Sequence, residues 1–341
     1  MQTGVTLQPV DSPDDFEVFV REIENLGYDR LWLTDSSLHA RYVYSYLTLA
    51  STWTSKLGLG TAVTNPLTRH PALTTIAAST LDIVSKGRFT LGIGAGDRPL
   101  LSLGMQPAPV AVMERAIVDM RRLWAGETVT DAGPGFTFDD AHLRFPSSAG
   151  IPVYVSASGP KTLQMAGRVA DGVILLAGLH PDIVQWAIDR IDEGVDQAGR
   201  DVRPHVAVFA YGMVSDDAPA AMAAARTIAA WFPQTVPALC EVAGLDPTIV
   251  TAVRDAYKGG EFQEAEAAAA LLPDDFVRRM ALSGGIDVAR EHIRNLAGLG
   301  VDSVNVFPLG QDRLGTIRSF MAAARLESIG ATEADEGERA R

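Results

Sequence analysis

Thr3-Gly4-Val5-Thr6-Leu7, a strand-like run, is followed by the turn Gln8-Pro9-Val10-Asp11, which contains no glycine. A helix is predicted from Pro13 to Leu26, because Ser12 can cap its first turn and Gly27 can end it in a left-handed conformation. An open doubly wound sheet is expected to carry a glycine-rich turn after its first strand. The turn at 8–11 therefore favours a closed barrel.

The same alternation of a short apolar run, a few turn residues and an amphipathic helix repeats along the chain. Such alternation is typical of parallel βαβ units. The further strands are predicted at 31–34, 57–63, 89–93, 152–156, 172–176, 206–213 and 303–307. With the first strand they predict an α/β fold, a TIM (β/α)8 barrel.

Three segments do not follow this repeat. Two strand-like runs face each other across Asp131-Ala132-Gly133-Pro134-Gly135, which predicts a small hairpin outside the barrel. The alanine-rich stretch 215–282 is almost wholly helical in pattern and predicts a helical insertion after strand seven. The tail 331–341 is charged and lacks an apolar period, so we expect it to be disordered. Residues 1–330 are predicted to form a single barrel domain.

The composition indicates a cytoplasmic protein with a small-molecule ligand. Hydrophobic residues make up 47% of the chain, enough for a barrel core. No run of about 20 apolar residues could span a membrane, and the N-terminus has no signal-peptide pattern. The single cysteine, Cys240, excludes an internal disulfide. The net charge of −13 argues against nucleic acid as a partner, because phosphate binding needs a concentrated basic face.

The functional residues of such a barrel are expected where strands end, at the C-terminal face. Gly92-Ile93-Gly94-Ala95-Gly96-Asp97-Arg98 follows the fourth strand and lacks the third glycine of a dinucleotide fingerprint. It is either a tight strand exit or a place where a flat ring approaches the backbone. Ser156-Ala157-Ser158-Gly159-Pro160-Lys161 leads from the fifth strand into a helix. It is either a phosphate site or a capped helix start.

Polar residues at other strand ends also allow two interpretations. Asp35 ends the second strand and is either a cap or a site residue, and His39, shortly after it, is best explained as a surface histidine. His70 lies in the loop after the third strand and is similarly ambiguous: it is either a surface histidine or a residue that orients that loop. The chain has no Ser-His-Asp order, no paired glycosidase carboxylates and no histidine cluster with metal-ligand spacing. We therefore expect neither a hydrolase nor a metal site.

Four segments together resemble the bacterial luciferase-like superfamily, and within it the F420-dependent methylenetetrahydromethanopterin reductases. They are residues 60–71, 91–98 and 153–161, and Ala170-Asp171-Gly172-Val173-Ile174. The resemblance covers roughly residues 3–324. It implies an oxidoreductase that binds coenzyme F420, with FMN as the alternative cofactor.

The resemblance also implies roles for individual residues. A non-prolyl cis peptide bond is expected at Ala62-Val63, pressed against the deazaflavin ring. Asp35 and Asp97 are the implied catalytic residues at the redox end of the cofactor, beside Asn65. The implied cofactor-binding residues are Asp35, Ala62, Val63, Asn65, Gly96, Asp97, Ser156, Ala157, Ser158, Gly159, Lys161, Ile174 and Leu176.

One position departs from the pattern of the methanopterin reductases. They carry a glutamate in a Gly-Ile-Glu-Phe setting, whereas this chain has Gly4-Val5-Thr6-Leu7. Thr6 cannot replace a carboxylic acid as proton donor, so the substrate stays open.

Three functions are compatible with these observations: hydride transfer between F420 and an organic substrate, an FMNH2-dependent monooxygenase that uses oxygen, and a non-catalytic barrel that binds a cofactor. A homodimer is expected from the resemblance and from the apolar helices after the second and third strands, which include Leu73, Ile76 and Leu81.

Overall fold

The computed structural model describes residues 1–96, 98–145, 147, 150–257 and 265–339, and side chains up to residue 327 except those of residues 98 and 99. The strands are β1 (Gln2–Leu7), β2 (Arg30–Leu33), β3 (Gly58–Thr61), β4 (Phe89–Ile93), β5 (Val129–Gly133), β6 (Phe136–Ala141), β7 (Val153–Ala157), β8 (Gly172–Leu175), β9 (His205–Val214), β10 (Leu282–Gly284) and β11 (Ser303–Pro308). The helices are α1 (Pro13–Asn25), α2 (Val43–Trp53), α3 (Pro71–Val84), α4 (Arg98–Ser102), α5 (Val110–Trp124), α6 (Pro160–Val169), α7 (Pro181–Ala198), α8 (Ala218–Ala229), α9 (Trp231–Thr235), α10 (Pro237–Val242), α11 (Pro247–Ala256), α12 (Glu266–Ala269), α13 (Asp274–Met280), α14 (Ile286–Gly298) and α15 (Arg313–Arg339).

Eight of the strands form a closed parallel barrel. Their order is β9-β11-β1-β2-β3-β4-β7-β8, and β8 also pairs with β9, which closes the sheet. Val5 lies opposite Val306 of β11, and Leu91 of β4 lies opposite Val153 of β7. The predicted TIM barrel is confirmed.

The first βα unit forms as its sequence predicts. Ser12 accepts a hydrogen bond from the N–H of Asp15 at the start of α1, and Gly27 has a φ of 78° just after the helix. Phe16, Phe19, Val20 and Ile23 are buried. Their spacing places them on one face of the helix, which stabilises α1 by burying apolar surface.

The chain divides into two compact units. Unit 1 comprises Met1–Val5, Leu176–Ala187 and Ala207–Arg341, and it contains β11 and the inserted helices. Unit 2 comprises Thr6–Leu175 and Ile188–Val206, and it contains β2, β3, β4, β7 and β8. Most of the predicted site residues belong to unit 2.

The insertion after β9 is helical, as predicted, but it ends in a strand. In the described part of the insertion, which leaves out residues 258–264, the helices α8 to α13 precede β10, whose three residues pair in parallel with β9 at Gly212 to Val214. A run of three residues is too short to show a strand period, which explains why the sequence pattern missed it. Within the insertion, Arg226 donates hydrogen bonds to the carbonyl oxygens of Ala269 and Leu272, at 3.1 and 2.9 Å.

The hairpin and the tail differ in detail from the sequence predictions. β5 and β6 form the predicted antiparallel hairpin, but Asp131, Ala132 and Gly133 belong to β5 instead of the turn. α15 continues to Arg339, through a segment predicted to be disordered. Alanine, glutamate and arginine favour helix, and extending an existing helix avoids the cost of nucleation. Within the described ranges, no helix combines the length and apolarity that a bilayer crossing requires.

Candidate active site

The chain leaves β3 through a cis peptide bond between Ala62 and Val63. The N–H of Ala62 donates to the carbonyl oxygen of Leu33 at 2.7 Å, which joins the ends of β3 and β2. On the other side, the N–H of Thr64 donates to the carbonyl of Gly92 at 3.0 Å. The cis bond expected from the family resemblance is therefore present, and it lies between the carboxyl ends of β2 and β4.

Close packing explains the glycines that follow β4. A side chain at Gly92 would overlap the carbonyl oxygen of Thr61, whose hydroxyl also exchanges hydrogen bonds with the backbone of Gly92. A Cβ atom at Gly94 would lie 2.7 Å from Cγ2 of Val63 and 3.3 Å from Cβ of Ser156. Gly96 has a φ of 81°. Close packing where the chain leaves β4 thus accounts for these glycines. A contact of Gly96 with a cofactor ring stays a prediction. Asp97 lies outside the described residues.

Asp35 is buried at the end of β2 and is paired with an arginine. Its Oδ2 contacts the guanidinium of Arg69, and the two side chains are 6% and 12% exposed. Arg69 also donates to the hydroxyl of Thr64 at 2.8 Å. Its cationic carbon lies 5.3 Å from the ring centre of Tyr42 and 5.0 Å from that of Tyr44. Asp35 is therefore part of a charged cluster and is not a helix cap.

Asn65 and His70 shape the loop that carries Arg69. The side-chain oxygen of Asn65 accepts hydrogen bonds from the N–H groups of Leu67 and Thr68, at 3.0 and 2.8 Å. Asn65 is 3% exposed, so its amide belongs to a buried turn beside the cis bond. Nδ1 of His70 accepts from the N–H of Ala72 at the start of α3. His70 therefore orients the loop, which is one of the two interpretations that its sequence context allowed.

The start of α6 is open. Gly159 is its N-cap residue and Pro160 its first helical residue, and no described side chain caps the helix. The serines at 156 and 158 are therefore not caps, and apart from the two chain neighbours of Gly159 no described heavy atom lies within 4 Å of the position that its Cβ would take. Lys161 is exposed in the first turn. Helix starts of this kind present N–H groups and a positive dipole end, which suit an anion.

The remaining predicted residues lie on or after β7 and β8. Ala157 is buried at the end of β7, and Ile174 is buried on β8, where it pairs with Ser156 in register. The Cδ1 atom of Ile174 lies against Gly92. The geometry thus brings Ile174 to the end of β4, together with Val63 and Ser156. Leu176 directly follows β8 and is half-buried.

Two features were not identified from the sequence. The first, in unit 2, is the set of contacts that Arg69 makes with Asp35, Thr64, Tyr42 and Tyr44. In unit 1, Tyr211 and Phe307 stack at the ends of β9 and β11, with ring centres 4.8 Å apart and an interplanar angle of 16°. The strand-end position of Phe307 is visible in the sequence, but the partnership of the two rings depends on strand register, which a single sequence does not give.

Comparison with known proteins gives consistent results. A family model described as luciferase-like monooxygenase matches residues 1–303. The 5,10-methylenetetrahydromethanopterin reductase of Archaeoglobus fulgidus is 35% identical over 326 residues, which cover 93% of this chain and 97% of that protein. The F420-dependent glucose-6-phosphate dehydrogenase of Intrasporangium calvum is 28% identical, with coverages of 88% and 90%.

A similar solved structure is the coenzyme F420-dependent tetrahydromethanopterin reductase of Methanopyrus kandleri. Its TM-score is 0.82 at 26% sequence identity, over 94% of this chain and 97% of that one. The resemblance stated from the four sequence segments is therefore confirmed.

Proposed function

The chain belongs to the luciferase-like monooxygenase family, and from this premise we propose that it is an F420-dependent oxidoreductase that transfers a hydride between the cofactor and an organic substrate. The sequence predicted this enzyme class and cofactor. The relatives support both, since the reductase structure and the dehydrogenase are named as F420-dependent. F420 supplies the hydride chemistry when it is bound, and the protein supplies position and polarity.

The open start of α6 carries the proposal, because it fits the phosphate of such a cofactor. Among the described residues, none except the two chain neighbours of Gly159 lies within 4 Å of the position of a Cβ at Gly159, and none caps the first turn of α6 with a side chain. Backbone N–H groups at a helix start bind phosphate without further side chains. We assign the phosphate end of F420 to Ser156, Ala157, Ser158, Gly159 and Lys161.

The redox end is assigned to the ends of β2 and β3. There the N–H of Ala62 donates to the carbonyl oxygen of Leu33, which joins the Ala62-Val63 bond to the strand that Asp35 follows, and Asn65 comes two residues after that bond. Gly96 and Asp97 belong to the same assignment, and Ile174 and Leu176 would flank the cofactor. Asp35 and Asp97 remain the proposed catalytic residues.

Titration of the purified protein with F420 and with FMN, followed by fluorescence quenching, tests the cofactor. We expect F420 to bind more tightly. Tighter binding of FMN would favour the alternative, an FMNH2-dependent monooxygenase. Binding of F420 without hydride transfer to any of a panel of carbonyl and alcohol substrates would favour a barrel that only binds its cofactor.

The substrate is not carried over from the relatives. Those reported above are named for methylenetetrahydromethanopterin and for glucose 6-phosphate, so relatives that share F420 differ in substrate. Thr6 is 1% exposed, and its hydroxyl has no hydrogen-bond partner among the described residues. A threonine at this position offers no carboxylic acid for proton transfer. The proposal therefore names an organic substrate without a methanopterin requirement.

A homodimer and a cytoplasmic location complete the proposal. Leu73, Ile76 and Ile83 of α3 are 56%, 42% and 63% exposed and share one helix face. Leu81 was also expected there, but it is 2% exposed and belongs to the core. Such an apolar stripe suits a second copy of the chain.

Light scattering tests the dimer. Ile76→Asp should convert a dimer mass into a monomer mass. Val18→Asp, at an exposed apolar position on α1, is the control and should leave the mass unchanged. A monomer mass for the wild type would contradict the dimer. The cytoplasmic location would be contradicted if a fluorescently tagged chain were found outside the cytoplasm.

A further inference from the structure

Arg69 joins the ends of two barrel strands through one guanidinium group. Its side chain comes from the loop after β3 and contacts the carboxylate of Asp35, which follows β2. It also donates to the hydroxyl of Thr64, at 2.8 Å, one residue after the cis bond. The same cation thus holds both strand ends that the proposed function assigns to the redox end of the cofactor.

Two neighbouring tyrosine rings lie against this cation. The ring centres of Tyr42 and Tyr44 lie 5.3 and 5.0 Å from the guanidinium carbon of Arg69. Cation–π contacts stabilise a cation that has lost most of its water. Burial lowers the pKa of Arg69 to about 10, which still leaves it protonated at neutral pH. The cluster therefore holds a permanent positive charge against Asp35.

We propose that Arg69 is a positioning residue of the cofactor site, which fixes the Asp35 carboxylate and cancels its charge, so that the pair presents no net charge to the redox end of the cofactor. This inference rests on the proposed function, which places Asp35 at that end. Hydride transfer adds two electrons and one proton to the ring, so the reduced ring carries one more negative charge than the oxidised ring when the protonation of its other atoms is unchanged. An uncompensated charge beside the ring would therefore favour one oxidation state of the cofactor over the other.

Removing one partner at a time should shift this preference in opposite directions. Arg69→Gln leaves an unpaired carboxylate and should favour binding of oxidised over reduced F420 by about tenfold. Asp35→Asn leaves an unpaired cation and should favour reduced F420 by a similar factor. The double variant Asp35→Asn/Arg69→Gln removes both charges, and its preference should return to within about threefold of the wild type.

The experiment measures the dissociation constants of oxidised and of reduced F420 for each variant, under anaerobic conditions, by quenching of protein fluorescence. Arg69→Lys keeps the charge and should keep the wild-type ratio of the two constants. Arg88→Gln is the matched control. Arg88 is also a poorly exposed arginine, but it donates to the carbonyl oxygens of Ser51, Thr54 and Leu57, before β3 begins. This variant should lower the melting temperature without changing the ratio.

The outcomes separate the inference from the proposed function. Opposite shifts in the single variants and recovery in the double variant support the role of Arg69. Shifts of the same sign, or an unchanged ratio while F420 still binds, would show that Arg69 only stabilises the fold. If Arg69→Gln does not fold, Asp35→Asn and the double variant decide alone. Failure of the wild type to bind F420 would remove the proposed function, and the cofactor role of Arg69 with it.

Discussion

Helices α3 and α6 begin in similar sequence settings but differ at the N-cap residue, which is His70 in α3 and Gly159 in α6. Each follows a barrel strand, and each has proline at its first helical position. His70 is the N-cap residue of α3, and its Nδ1 accepts a hydrogen bond from the N–H of Ala72 at 3.1 Å. Gly159 is the N-cap residue of α6, where no side chain of the described residues caps the helix. One helix start is closed by the protein, and the other is open.

The neighbours of His70 show that the closed start is structural. Its Nε2 lies 2.9 Å from the carbonyl oxygen of Thr137, and its ring meets Phe136 and Phe138 edge-on. Both ring nitrogens are thus engaged, which leaves none for a ligand. At the start of α6, no described side chain caps the helix in this way. The contrast indicates that substitutions at α3 should affect stability, whereas substitutions at α6 should affect cofactor binding.

The largest effect is expected for His70→Ala. The substitution removes the helix cap, the bond to Thr137 and the contacts with two phenylalanine rings, so it should lower the free energy of unfolding by about 2 to 4 kcal/mol. Urea unfolding measures this loss. His142→Ala is the control, because His142 is exposed and should change stability by less than about 0.5 kcal/mol. An equally small change for His70→Ala would contradict the structural role.

Gly159→Asp, at the start of α6, should raise stability and weaken F420 binding. The backbone at Gly159 is extended, with a φ of −90°, and a side chain there has free space. An aspartate would cap the helix and raise stability by a few tenths of a kcal/mol. Its carboxylate would occupy the phosphate position, so the affinity for F420 should fall by about 2 to 3 kcal/mol, roughly 30- to 150-fold.

Gly159→Ala is the matched variant for this test. Alanine is a poor cap, so stability should fall by about 0.5 kcal/mol or more, whereas the N–H groups stay open and F420 affinity should change less than about threefold. The two variants should thus change stability in opposite directions, and only Gly159→Asp should lose F420 affinity. Wild-type affinity in Gly159→Asp would mean that the phosphate does not bind at this helix start.

The sequence predicts the barrel well because each strand is an apolar run with turn residues on both sides. Its failures lie where that signal is short or ambiguous. β10 has three residues and no visible period, and the helix-forming composition of 331–339 was outweighed by its charge and lack of apolar residues. Strand and helix formation in the barrel are local enough to be predicted from the pattern, whereas the ends of elements depend on what they pack against.

The candidate site also has a part that could be predicted from the sequence and a part that could not. Asp35 and Asn65 come shortly after β2 and β3, and residues 156–161 run from the end of β7 into α6, so their place at the strand ends could be predicted from position alone. The pairing of Asp35 with Arg69 joins residues 34 positions apart and depends on the path of the loop after β3. The same holds for the close packing at Gly92 and Gly94, which depends on Thr61, Val63 and Ser156. A single sequence carries no signal for such tertiary contacts.

Lys161→Ala tests the charge at the open helix start. Loss of a charge-assisted contact should cost about 1.5 to 3 kcal/mol in F420 affinity, roughly 10- to 150-fold. Because Lys161 is exposed, we expect the lower part of that range and a smaller loss at high salt. The melting temperature should stay nearly constant, since truncation of a surface lysine changes stability by about 0.5 kcal/mol at most. Lys86→Ala, another exposed lysine, is the control. Lost affinity with an equally lowered melting temperature would indicate a structural role.

The smallest effect is expected for Ser158→Ala. The structure places Ser158 just before the N-cap residue Gly159, and no described side chain caps the helix, so the hydroxyl of Ser158 is not a cap of α6. Loss of a neutral donor to the phosphate should weaken F420 binding by about 0.5 to 1.5 kcal/mol, roughly 2- to 12-fold, at constant melting temperature. Ser12→Ala provides the comparison, because Ser12 does cap α1. That variant should lower stability by about 1 kcal/mol and leave F420 affinity unchanged. If Ser158→Ala instead behaved like Ser12→Ala, the hydroxyl would stabilise the helix start, and the phosphate assignment would have to rest on the backbone and Lys161 alone.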